Sequence, residues 1–166
     1  MSQILPLTTI IYYSKSGHSK RVAERLGIRL GVTPSEITTN SYSLPILGWI
    51  AAGRDGMQGR AVPLSEPLDL PSQGTIVLVG PVWAGGPAAP LNTVIDALAP
   101  GEQHVAAALT CGDPKEQTGP LEKMAQRLGR PLKAALVLSN KAQDAPGGGE
   151  RLEAFATQLS DRVSTP

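Results

Sequence analysis

The chain has 166 residues, a formal net charge of +1, 18 Gly, 15 Pro and one Cys. That length suits one domain of about 100 to 200 residues with a real core. The lone Cys111 excludes an intrachain disulfide scaffold, and near-neutral charge leaves no overall field to draw nucleic acid or an anionic membrane.

Residues 1–13 carry no Lys or Arg, and Pro6, Thr8 and Thr9 break their apolar run. A secretory signal needs a basic start and 7–15 apolar residues, so this segment suits one poorly. No stretch reaches the roughly 18 apolar residues of a membrane span. A cytoplasmic protein with no membrane partner is expected. No repeat or long polar linker divides residues 1–166, which read as one domain, and residues 164–166 are expected to fray.

Along the chain, short apolar runs alternate with amphipathic stretches. Thr8 to Tyr13 is β-branched and aromatic and reads as a strand. Val22, Leu26 and Leu30 then recur at helical spacing, and Gly31 ends that helix. Ser35 to Thr39 is the only place for one further strand. Residues 40–72 interrupt the rhythm with eight Gly and Pro, and read as a loop or insertion with a short helix around Ile46 to Ala52. Thr75 to Gly80 is apolar without alternation, as in a parallel strand covered on both faces. Leu91, Val94, Ile95 and Leu98 mark a helix, His104 to Thr110 an Ala-rich strand, and Leu121, Met124 and Leu128 another helix. Ala134 to Ser139 is the last strand, and Leu152, Phe155, Leu159 and Val163 the last helix. Such alternation predicts an α/β fold of right-handed units around a parallel sheet.

Ligands of an open parallel sheet bind beyond the carboxyl ends of its strands. Three loops fall there. In Ser14-Lys15-Ser16-Gly17-His18-Ser19, three hydroxyls and a glycine open the Val22 helix, which suits a phosphate cradled by loop amides at a helix N-terminus, with no metal. Ser19 as a plain N-cap explains part of the pattern equally well. The loop is neither the triphosphatase nor the dinucleotide glycine motif. In Pro81-Val82-Trp83-Ala84-Gly85-Gly86 an indole can lie against a planar ring while the glycines bring N–H groups to its edge; the competing reading is a core Trp beside a turn. Thr110-Cys111-Gly112-Asp113 ends the Ala-rich strand.

Ile10 to Ser19 resembles the first strand and phosphate loop of flavodoxins, and Gly80 to Pro87 resembles their first ring-binding loop. Thr110 to Asp113 sits where the second such loop falls, and Ile46 to Arg60 looks like an insertion of small flavodoxin-like proteins. The resemblance implies a three-layer sandwich with a five-stranded parallel sheet, order 2-1-3-4-5, holding non-covalent FMN. It implies that Ser14 to Ser19 bind the phosphate, Pro81 to Gly86 meet the ring, and Thr110 to Asp113 meet its pyrimidine edge. A flavin redox protein follows, with NAD(P)H or a redox protein as partner; electron carrier and reductase both remain open. The alternative is a binding or scaffold module that kept the fold and lost FMN.

The chain departs from that pattern in one respect. Flavodoxins usually stack a second aromatic from the later loop, and Thr110 to Thr118 contains none. The second ring face is then open, covered by Trp49 from the insertion, or covered by a second subunit. Trp49 is expected to pack the insertion against the sheet instead. Lys15 and His18 add basic groups that suit either the phosphate or plain solvent, and Cys111 reads as a small apolar filler.

Overall fold

The computed structural model describes residues 7–160. In chain order the elements are β1 (Thr8–Tyr12), α1 (His18–Leu30), β2 (Ser35–Glu36), α2 (Pro45–Gln58), β3 (Thr75–Trp83) and β4 (Gly86–Pro87). There follow α3 (Ala89–Leu98), β5 (His104–Cys111), α4 (Gly119–Leu128), β6 (Ala135–Ser139), α5 (Asn140–Asp144) and α6 (Pro146–Ser160). Five strands pair in parallel in the order β2-β1-β3-β5-β6, while two-residue β4 folds back antiparallel on β3. With β4 set aside, this is the expected order of parallel strands. The expected end of the last helix at Val163 and the fraying of 164–166 lie outside the described residues.

The central position of β3 explains why its run does not alternate. Ile76 and Leu78 join one core with Leu91, Ile95 and Met124 of α3 and α4; Val77 and Val79 join the other with Leu26, Leu152 and Phe155 of α1 and α6. Two helical layers therefore enclose one sheet, and a strand covered on both faces is apolar at every position. α1 stops where expected, because Gly31 adopts φ 68° and its N–H caps the Gly27 carbonyl. Among the described residues no helix is long and apolar enough to cross a membrane.

Residues 40–72 correct the sequence reading most. The short helix expected at Ile46 to Ala52 is α2, fourteen residues long, with Pro45 in its first turn and Gly59 as a left-handed cap. Its internal glycines look like breaks, but two of them are seats. A Cβ on Gly48 would fall 2.7 Å from the Tyr42 carbonyl oxygen, and one on Gly56 would collide with the Trp83 backbone. Residues 61–72 are a strap tied at several points: Thr93 exchanges hydrogen bonds with Val62, Ser65 N–H donates to the Thr38 carbonyl, and Gln103 donates to the Pro71 carbonyl. Leu64, Leu68 and Leu70 pack against the α3/α4 core. The strand expected at Ser35 to Thr39 is only two residues long and pairs with β1 at the sheet edge.

Candidate functional site

The carboxyl edge of the sheet carries two adjoining clefts, of about 230 and 260 Å³. Val82, Cys111 and Gly112 line both. Together they fall in the roughly 300–1,000 Å³ range of small-molecule sites.

The first cleft is lined by the β1–α1 loop, through Ser14, Lys15, Ser16 and Ser19, facing Trp49, Pro81, Trp83 and Thr110. Gly17 caps α1 with φ 93°, a conformation that disfavours side chains. A Cβ there would meet nothing within 4 Å, so the space over this backbone is open. Gly17 N–H donates to Ser14 Oγ at 3.0 Å, which leaves the Ser14 hydroxyl hydrogen free to donate elsewhere. Ser19 is buried, and its Oγ lies 2.8 Å from Thr110 Oγ1, joining the first loop to the end of β5. Among the described residues this cleft is lined by one cation, Lys15, and no carboxylate. Hydroxyl donors, an ammonium group and the positive end of a thirteen-residue helix suit an anion.

Lys15 also braces α2. Its Nζ donates to the Tyr42 carbonyl at 3.2 Å and stands 5.0 Å from the Trp49 ring centroid. His18 does not line the cleft: Arg21 Nη2 lies 2.8 Å from its Nδ1, and since a guanidinium only donates, Nδ1 accepts.

The second cleft brings together Ala84, Gly85, Asp113, Gln117 and Pro120. Ala84 (φ 47°) and Gly85 (φ 82°) are consecutive left-handed residues in the tight turn between β3 and β4, as a two-residue hairpin demands. Lys123 Nζ donates to the Gly85 carbonyl at 2.9 Å, tying the turn to α4. Gly86 lies in neither cleft; a Cβ on it would fall 2.5 Å from the Gly56 carbonyl, so it accommodates α2. Asp113 Oδ1 accepts from Lys115 N–H, and the Asp113 carbonyl accepts from the Cys111 thiol at 3.2 Å. Burial, with Glu116 and Asp113 nearby, pushes the Cys111 thiol pKa up.

Both tryptophans line the first cleft, Trp83 from the core side and Trp49 from the solvent side. Trp83 is 6% exposed and sits in the core. Its ring makes T-shaped contacts with Tyr13 (5.5 Å between centroids) and Tyr42 (5.1 Å). Trp49, expected to pack inward, is 52% exposed and faces the first cleft. The cause is helical phase. Gly48, Ala52 and Asp55 form the buried side of α2, which turns Trp49 away from the sheet. Buried Asp55 fixes the same helix by accepting from the Tyr42 hydroxyl at 2.7 Å. Burial, then that carboxylate, raises the Tyr42 phenol pKa; burial alone pushes Tyr13 up to about 12.

The residue reading missed Asn140, which lines the first cleft directly after β6. Its place at the carboxyl end of a parallel strand was the available signal.

No family model and no curated protein matches this sequence. Solved structures do. An FMN complex of a flavoprotein from Lactobacillus acidophilus NCFM aligns at TM-score 0.64 and 20% identity, over 83% of this chain and 95% of that one. A candidate flavoprotein from Bacteroides uniformis ATCC 8492 aligns at TM-score 0.68 and 17% identity, over 92% and 98%. A flavodoxin from Streptococcus pneumoniae TIGR4 aligns at TM-score 0.54 and 14% identity, over 92% and 96%. Likeness at such identities is one of architecture: the chain has the flavodoxin-like fold.

Proposed function

We propose that this chain binds FMN non-covalently at the carboxyl edge of its sheet and is a flavin redox protein. One observation carries the reading. The cleft of the hydroxyl-rich β1–α1 loop, lined by Lys15 and no carboxylate, adjoins a more apolar cleft between the Ala84–Gly85 turn and the loop after β5. An anion joined to a planar ring system is the ligand that such a pair of clefts suits. The alignment with an FMN complex supports the same choice.

In this reading Ser14, Ser16 and the amides around Gly17 hold the phosphate, with Lys15 contributing charge. Several charge-assisted hydrogen bonds, each about 1.5–3 kcal/mol, bind it without a metal. Ser19 and Thr110 act as a pair that keeps the two loops in register. Ala84, Gly85, Gly112 and Asp113 border the ring, and Trp49 offers an aromatic face from α2. Bound flavin supplies the electron chemistry, while the protein sets its position and electrostatics. Buried Cys111, its thiol pKa raised, keeps its proton and serves as a wall of both clefts.

Reconstitution with FMN followed by calorimetry and an absorbance spectrum tests the proposal. A stoichiometric complex with flavin bands is expected. A colourless protein with no heat of binding overturns it and leaves the scaffold alternative. Stopped-flow mixing of the loaded protein with NADPH then separates the two redox roles: direct bleaching marks a reductase, whereas a carrier bleaches only with a partner protein present.

A further inference from the structure

α2 has two unlike sides. Gly48, Ala52, Asp55 and Gly56 are buried toward the sheet. At about 100° per residue, Ile46, Ile50, Gly53 and Met57 fall on the opposite side, with Trp49 on one flank and Leu47 and Arg54 on the other. Leu44, Ile46, Leu47, Ile50 and Met57 are 59–77% exposed, beside the Trp49 ring that borders the first cleft. Five large apolar side chains exposed to that degree leave on the order of 600 Å² of apolar surface, at the top of the roughly 300–600 Å² range of the largest patch on a typical monomer and approaching the roughly 800 Å² that each partner contributes to a standard interface.

We infer that this face of α2 is the contact surface of a homodimer, in which the helix packs against its own copy across a two-fold axis. A two-fold contact sets a patch against itself, so it needs a surface without net charge at its centre. The centre here is Ile46, Ile50, Gly53 and Met57, and it carries none. A Cβ on Gly53 would meet nothing within 4 Å, so nothing stands between that backbone and an approaching helix.

Charge also decides against a lipid surface. A helix lying on a membrane carries Lys and Arg along its margins, worth about 1 kcal/mol each toward anionic lipid. On α2 the only basic residue is Arg54, and both Arg54 and nearby Arg60 lie within 4 Å of the Asp55 carboxylate. Lys15 is engaged with the Tyr42 carbonyl and the Trp49 ring. A different acidic or basic protein would likewise find little charge to recognise.

Sedimentation of the full chain measures this directly and does not depend on FMN. The expected species has twice the 17.3 kDa of the chain. Ile50→Glu and, separately, Met57→Lys each place a charge in the seam and should weaken association at least tenfold, with unchanged far-UV circular dichroism. Two variants guard against one failing to fold. A wild-type monomer at all concentrations up to about 1 mM overturns the inference. So does a dimer whose affinity neither folded variant changes, since it would use another face. Monomeric protein that pellets with vesicles of anionic phospholipid also overturns it, in favour of a membrane surface.

Discussion

Ser19 and Thr110 stand ninety-one residues apart in sequence, yet their hydroxyls lie 2.8 Å from one another beneath the candidate site. Both side chains are buried, so this bond connects α1 to the end of β5 where water does not compete. Either oxygen can be the donor, which leaves one hydroxyl hydrogen for a ligand.

Removing one partner strands the other. Thr110→Val should destabilise the fold by about 1–3 kcal/mol, the cost of a buried polar group left unpaired. Adding Ser19→Ala should cost less than the sum of the two single changes. Urea denaturation of the four proteins checks both statements.

Gly17→Ala forces a side chain into φ 93°. The change should cost about 1–3 kcal/mol of stability and lower flavin retention, because the Cβ enters the open space above the loop. Unchanged FMN affinity by calorimetry would remove the phosphate assignment from this loop.

The two tryptophans should respond in opposite ways. Trp83→Ala opens the core around Tyr13, Tyr42 and Gly56 and should cost about 3–5 kcal/mol. Trp49→Ala removes a half-exposed side chain, and its effect on stability should stay within about 1 kcal/mol. In the FMN-loaded protein, Trp49→Ala should raise flavin fluorescence by removing an indole beside the ring; steady-state emission of both variants separates these effects.

Acid should loosen the junction between α4, β6 and α6. Burial opposes the Glu116 charge, but Ser139 N–H and the Arg151 guanidinium at 2.8 Å outweigh it and hold its pKa below the usual 4.5. A depressed carboxylate stabilises the fold above its unfolded pKa, and that contribution is lost as pH falls through the folded value. Stability measured by denaturation should therefore decline below about pH 4.5, and Glu116→Gln should show a shallower decline with a lower plateau at neutral pH.

How much of this was legible in the sequence depended on what kind of contact each residue makes. Val22, Leu26 and Leu30, or Leu121, Met124 and Leu128, point at a local face, so their spacing reported α1 and α4 directly. The unalternating run of β3 reported its central place for the same reason. α2 was harder, because Gly48 is seated on the Tyr42 backbone and Gly56 on that of Trp83, the second a contact that no local window contains. Read locally, both glycines signal a loop. The same blindness hid the surroundings of the tryptophans. Trp83 ends a buried strand, borders the first cleft and has Tyr13 and Tyr42 from distant segments against its ring. The exposure of Trp49 follows from the side of α2 that the glycines press inward.

Gly48 and Gly56 thus act as the two feet of α2, resting backbone on backbone with no side chain between. Side chains such as Asp55 and Lys15 add to the hold, but the closest approaches are to atoms that every amino acid shares. A methyl group at Gly56 would meet the Trp83 backbone and should push α2, with Trp49, away from the sheet. The gauge of the first cleft is thereby written at points that do not border it.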